Sequence, residues 1–378
     1  MKVALVHDYL NQFGGAERVL ETLTEIFPEA PIYTIFYDPE RIHGKFGDRE
    51  IKTSPLGNLF TMFPHRWRHR PFIPFFPKAT EAINLGDKYD LIISDSAGWS
   101  KGVTYRKGIH ISYIHSPLRY AWEPELYLGT LFPRLAIKMA GPIISYLRNW
   151  DKQTAKKPDI LLTNSNHTAK RIKEFYDRDA QVLYPPVDTK IFYPDKSVKK
   201  KLYYLAFGRI MHFKKFDLVV KAFNELELPL KIVGSGPEEE NVRKLIVSPR
   251  IEMTNGFRDD GNLRELMAGA KALIFPQVED FGLVAAESIA CGTPVIAYAG
   301  GGALEIIKDG INGVLFNEQT PESLTQAVRK FDKMQFDQQK VAKTSRVFSK
   351  ENFKKSLKKT INSIQPIIQA REKSPASL

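Results

Sequence analysis

Cysteine is almost absent. Cys291 stands alone among 378 residues, so no disulfide can form within the chain. That sets the sequence apart from small secreted scaffolds and suits a reducing compartment. No secretory leader is expected from MKVALVHDYL, which places charged and polar residues where an apolar h-region is needed. No apolar run approaches the ~20 residues required to cross a bilayer. The nearest, LAIKMAGPIISYL at 135–147, is broken by Lys138 and Pro142. Histidine and cysteine show no zinc-ligand spacing, and no Gly-rich phosphate loop ending in Lys-Ser/Thr occurs. Asp177-Arg178-Asp179 imitates a metal-binding Asp-x-Asp but closes a helical stretch rather than a strand. The expectation is therefore a soluble or peripheral cytoplasmic protein with no metal and no resident cofactor.

Acidic charge is in deficit: 55 Lys and Arg stand against 43 Asp and Glu, a net charge of +12. The excess favours anionic partners such as nucleic acid, acidic lipid or phosphorylated substrates, without choosing among them. Basic and aromatic residues interleave at 63–78, FPHRWRHRPFIPFFPK. Such a stretch fits an anionic membrane surface, would also accept nucleic acid, and reads equally as a packed loop with solvated arginines.

What the chain does have is a steady alternation of short β-type runs with helical stretches. The runs fall at 2–9, 31–37, 90–96, 110–116, 159–165 and 181–187, and again at 202–209, 230–234, 251–256, 272–276, 294–298 and 313–316. Most are continuous Val/Ile/Leu/Tyr rather than alternating, as expected of parallel strands buried on both faces. Three prolines and a lysine cluster interrupt the pattern at 185–201, after which it restarts. The fold class expected is α/β, with two doubly wound, Rossmann-like parallel-sheet domains and a ligand cleft between them. Phe353, Leu357, Ile361 and Ile364 recur at helical spacing, predicting an amphipathic helix stopped at Pro366 and followed by a tail.

One segment raises a chemical question. EDFGLVAAE, Glu279–Glu287, brackets a Phe-Gly step and small apolar residues with two carboxylates. Residues 277–282 read as a strand-to-helix loop. A helix tip presents unpaired N–H groups and partial positive charge to an anion. Gly282 permits close backbone approach, and Leu283 and Val284 supply N–H donors. Carboxylates on either side of a diphosphate suit the hydroxyls of a sugar nucleotide. Taken singly, either glutamate is as well explained as a solvated loop acid or a helix N-terminal acid.

The segment EDFGLVAAESIACGTPVIAYAGGGALEIIKDGINGVLF resembles the signature region of the retaining glycosyltransferases of family 4, which have the GT-B fold. The likeness extends to HDYLNQFGGAERVL, YIHSPLRYAWE, FGRIMHFKKFDLVVKAF and IVGSGPEEE, and so to nearly the whole chain. The resemblance implies that Glu279 contacts the donor sugar and that Glu287 contacts the ribose; Phe281, between them, is a further substrate-binding candidate. It implies that Arg209 and Lys215, or its neighbour Lys214, hold the diphosphate. His115 would lie near the donor sugar. Gly14 and Gly15, which otherwise read as a plain βα turn, would meet the diphosphate or the acceptor. Gly236 lies in the Gly-rich turn GSGP. Phe257 stands where the family contacts the nucleobase, though core packing explains it as well.

The corresponding expectation for domains is an acceptor-side domain at 1–188, a nucleotide-sugar domain at 189–350, and a helix and tail at 351–378 that pack back on the first. HDYL…GGAERVL and HSPLRYAWE are similar to bacterial surface-polysaccharide mannosyltransferases. GDP-mannose is therefore the first donor expected and a UDP-sugar the next, with a glycan or lipid-linked acceptor. The 63–78 stretch would then dock the protein to the inner face of a membrane. The alternatives are a nucleotide-sugar epimerase or phosphorylase of the same fold, or a basic nucleic-acid-binding protein using 63–78 and Lys199–Lys201.

Overall fold

Aliphatic runs become strands because a parallel sheet covered on both faces rewards continuous burial. The structure is a computed structural model that describes residues 1–57, 59, 70–129, 134–195, 197–198, 202–255 and 259–373. The chain forms two compact units, one from Met1–Tyr184 together with the chain from Phe353 onward, the other from Pro185–Asn352.

The first unit holds β1 Val3–His7, β2 Ile32–Thr34, β3 Ile51–Thr53, β4 Leu91–Ser96, β5 Ile109–Ile114, β6 Ile160–Thr163 and β7 Gln181–Val182. They pair in parallel in the order β3-β2-β1-β4-β5-β6-β7. Successive side chains point to opposite faces. Val3 and Leu5 enter one core with Ile93 and Ile111, while Ala4 and Val6 enter another with Ile92, Trp99 and Leu147. The helix Lys350–Lys373 lays Phe353, Leu357, Ile361 and Ile364 onto the first of these cores. Pro366 does not stop it, contrary to the sequence expectation. A proline forfeits its own N–H bond and crowds one carbonyl, and here the helix continues past that local cost.

The second unit holds β8 Tyr204–Phe207, β9 Leu230–Val233, β10 Ile251–Thr254, β11 Ala272–Phe275, β12 Val295–Tyr298 and β13 Gly313–Phe316. The order is β10-β9-β8-β11-β12-β13, again all parallel. Ile232, Ile274, Ile296 and Val314 pack one face against Val219, Phe223, Leu324 and Phe331 of the covering helices. Cys291 is buried, as its small apolar surroundings suggest.

Each of the twelve predicted runs contains a strand. β3, at the sheet edge, was not foreseen, because Ile-Lys-Thr carries a single aliphatic residue. β7 ends at Val182 rather than 187, since Pro185 and Pro186 have no N–H to donate to a ladder.

Candidate active site

Each sheet reverses its strand order once, between β1 and β4 in the first unit and between β8 and β11 in the second. Ligands of open parallel sheets bind outside the carboxyl ends of the strands at that point. Of the residues singled out in the sequence, Gly14 follows β1 and His115 follows β5 in the first unit, and Arg209 follows β8 and Glu279 follows β11 in the second.

In the second unit, β11 runs into Pro276–Gly282 and then the helix Leu283–Ala290. Gly282 has φ +104°, and a Cβ there would stand 3.0 Å from the Phe275 ring, so both backbone and space call for glycine. A second turn braces the loop from behind. Gly302 N–H donates to the Glu279 carbonyl at 2.9 Å. A Cβ on Gly301 would lie 2.3 Å from that carbonyl, and one on Gly302 2.2 Å from the Phe281 carbonyl. The Gly300–Gly302 run, which the sequence reading left unexplained, thus sets the position of Glu279.

Lys214 Nζ forms an ion pair with the Glu279 carboxylate, and Gln277 Nε2 donates to the same oxygen at 3.0 Å. Of the two lysines between which the register was open, Lys214 is therefore the one at Glu279. Lys215 has φ +57° and turns the chain into the helix Phe216–Leu226. Arg209 is exposed in the loop after β8. That loop crosses the GSGP turn so closely that a Cβ on Gly234 would fall 1.9 Å from the Gly208 carbonyl, and one on Gly236 2.2 Å from the Ile210 carbonyl. Gly236 accordingly has a packing reason of its own. Leu283 and Val284 occupy the first turn of the helix, where N–H groups have no intrahelical acceptor. Glu287, one turn further, is enclosed, at 2% exposure. Phe281 is a packing residue, 4% exposed and edge-on to Phe348 at 5.4 Å, which leaves only its backbone to meet a ligand. Phe257 lies outside the described residues, as do Lys199–Lys201.

In the first unit, three strand ends form one hydrogen-bonded chain. His115 Nε2 meets Asp95 Oδ1 at 2.5 Å, and His7 Nδ1 meets Asp95 Oδ2 at 2.9 Å. His7 Nε2 stands 3.5 Å from Glu17 Oε1, and Glu17 Oε2 accepts the Gly14 N–H at 2.8 Å. Burial alone would lower the His7 pKa, but the hydrogen bonds and charges of Asp95 and Glu17 raise it to about 10. Burial would likewise raise Asp95, yet His115 and His7 hold it below the usual carboxylate range. Gly14 N–H is thus committed to Glu17. Among the described residues a Cβ on Gly14 would meet only Glu17 Oε2, at 3.3 Å, and Gly15 opens the helix Gly15–Ile26. Sequence reasoning found His115, Gly14 and Gly15 but missed His7, Asp95 and Glu17. The available signal was polar residues closing apolar strands, in VALVH and LIISDS.

Behind this chain, Asp8 accepts N–H bonds from Ala97, Trp99 and Ser100 and fixes the turn after β4. Burial raises its pKa, against the pull of His7, Ser100 and Lys101. Of the basic-aromatic stretch, residues 63–69 lie outside the described residues. Beyond them Phe76 is buried edge-on to Trp99 at 5.2 Å and Phe72 packs against the same core, while Phe75 is 56% exposed. No described helix is long and apolar enough to cross a membrane. Among the described residues no group of three or more His, Cys, Asp or Glu is placed to hold a metal ion.

Two family models together account for residues 13–350. One, described as Glycosyltransferase Family 4, matches 13–191, and the other, Glycosyl transferases group 1, matches 188–350. An uncharacterized glycosyltransferase of Methanocaldococcus jannaschii is 24% identical over 345 residues, 87% of each chain. The D-inositol 3-phosphate glycosyltransferase of Mycobacterium tuberculosis is 30% identical over 272 residues, 61% of this chain and 56% of that protein. Among solved structures, sucrose-phosphate synthase from Thermosynechococcus elongatus superposes with TM-score 0.73 at 17% identity, covering 96% of this chain and 99% of that one. Anabaena HepE, in complex with UDP and glucose, superposes with TM-score 0.68 at 18% identity, covering 96% and 100%. The two parallel-sheet α/β units are those of the GT-B fold.

Proposed function

We propose that this chain, a member of the group 1 and family 4 glycosyltransferases, transfers a hexose from a nucleoside diphosphate sugar to a glycan or lipid-linked saccharide with retention at the anomeric carbon. The observation that carries this reading is Glu279 held against Lys214 in the loop that opens the helix Leu283–Ala290. A carboxylate for sugar hydroxyls and a helix tip for the diphosphate share one strand-to-helix turn, and a cation for phosphate reaches that turn from the loop after β8. Positive charge from Arg209 and Lys214 stabilises the departing diphosphate as its charge develops. Leu283 and Val284 add backbone N–H groups, and Glu287 is assigned to the ribose. His115 is assigned to a sugar hydroxyl. No carboxylate is an obvious nucleophile, so attack on the same face, assisted by the leaving phosphate, fits retention.

GDP-mannose is the first donor to test and UDP-sugars the next, the latter supported by HepE having been solved with UDP and glucose. The 63–78 stretch is assigned to docking on the anionic inner face of a membrane, where a lipid-linked acceptor would lie. Flotation with anionic vesicles, compared with an Arg66/Arg68/Arg70→Ala variant, tests that assignment. The donor is tested by a thermal-shift panel of GDP- and UDP-sugars followed by product analysis. A true donor at about 100 times its Kd stabilises by about 2.7 kcal/mol. If no sugar nucleotide raises the melting temperature, or the sole product is an epimerised donor, the reading fails.

A further inference from the structure

His115 is the one side chain of its unit that the proposed chemistry uses, yet it is the end of a longer construction. Its backbone is pinned from two sides: its N–H donates to Ser96 O at 2.8 Å, and its carbonyl accepts from Asn164 Nδ2 at 2.9 Å. The ring is held separately by Asp95, whose side chain is fully enclosed and gives one oxygen to each of two imidazoles. A carboxylate only accepts hydrogen bonds, so both histidine nitrogens facing it must carry protons. For neutral His115 that selects the Nε2–H tautomer and leaves Nδ1 as the lone-pair nitrogen.

His7 completes the logic. It is opposite Asp95 in the β1–β4 register and enclosed between Asp95 and Glu17. An imidazole between two carboxylates is favoured as the cation, and a cation there keeps the enclosed Asp95 charged. Asp8, with Lys101 acting on it, is the other charged neighbour, and the Tyr113 ring lies edge-on to His115 at 5.0 Å. A merely structural ion pair would need neither the second imidazole nor its alignment with the strand end that bears His115.

We propose that Asp95 and His7 are positioning residues for the transfer reaction: Asp95, paired with cationic His7, locks His115 as the Nε2–H tautomer and offers its Nδ1 as acceptor to a sugar hydroxyl. This rests on the glycosyltransferase reading and on His115 meeting the sugar. Nitrogen-15 spectra of the histidine side chains read the tautomer directly, with His115 identified by loss of its signals in His115→Ala. The wild-type protein shows neutral His115 protonated at Nε2. Asp95→Asn, whose amide both donates and accepts, gives a mixture of tautomers. It lowers kcat about tenfold to a hundredfold with sugar-nucleotide Kd unchanged. His7→Gln keeps a donor to Asp95 without the charge and falls between. An Nδ1–H tautomer in the wild type overturns the proposal, and so does an Asp95→Asn protein with wild-type spectrum and kcat. Should Asp95→Asn fail to fold, the wild-type spectrum and His7→Gln decide in its place. A wild-type protein inactive with every sugar nucleotide would sink the glycosyltransferase reading, while the spectrum would still decide the tautomer.

Discussion

Replacing Lys101 by methionine strips one charge from a pair that water does not reach. Lys101 and Asp151 are both 0% exposed, with Nζ and Oδ1 2.5 Å apart. Asp151 also accepts Trp122 Nε1 at 2.7 Å, Tyr176 OH at 2.7 Å and Leu118 N–H at 3.3 Å. Breaking such a pair from one side leaves an uncompensated buried charge and costs about 3–5 kcal/mol. Three surviving donors soften the loss, so the lower end, about 3 kcal/mol, is expected. All four tryptophans, at 67, 99, 122 and 150, belong to the first unit, so tryptophan emission follows that unit alone during urea unfolding. At a slope of about 2–3 kcal/mol per molar urea, the midpoint falls by about 1–1.5 M. Asp151→Asn and the double variant complete a cycle whose coupling isolates the pair. A midpoint shift under about 0.3 M, or a coupling under about 0.5 kcal/mol, would refute the reasoning. The stake is also functional, because Asp151 holds Leu118 and Trp122, in the turn that follows His115.

Three further outcomes follow. Lys214→Met lowers turnover about 10²–10³-fold while Lys215→Met stays within about tenfold, and equal losses in steady-state assays would reverse the assignment. Gly302→Ala drives a Cβ to 2.2 Å from the Phe281 carbonyl, so the loop bearing Glu279 must shift. Stability then falls by about 1–3 kcal/mol and donor KM rises, whereas an unchanged melt and KM would show the two turns to be independent. His7, raised from 6.5 to about 10, binds its proton more tightly folded than unfolded. Its contribution is fully present below about pH 6.5 and is lost as pH rises through about 10. The urea-midpoint gap between wild type and His7→Gln should therefore narrow over that window, and a constant gap would count against a cationic His7.

Strand positions were readable because burial on both faces leaves an uninterrupted aliphatic signature, as in LIIS and ALIF. β3 carries no such signature, being three residues long at an edge. Glu279 and Gly282 could be picked out by spacing, since a helix tip needs glycine and small residues close together in the chain. Whether Lys214 or Lys215 meets Glu279 depends on a left-handed residue, and a charged side chain at positive φ leaves no mark in composition. Asp95 and His7 stayed hidden for a different reason. They are 88 residues apart from each other and are brought together only by strand register. The stop assigned to Pro366 misjudged how much a helix already anchored by Phe353 to Ile364 can tolerate.

The terminal helix has a consequence for synthesis. The first unit takes in its last apolar layer from Phe353 to Ile364, after the whole second unit has been translated. On the ribosome, the core around Tyr113, whose ring meets Phe353, lacks this layer while some 170 residues emerge, at about 5–20 residues per second. That is a delay of roughly ten to thirty seconds in which the nascent chain presents a sticky face. A message truncated before codon 353 would release a polypeptide with that face permanently bare, a natural client for chaperones and proteases.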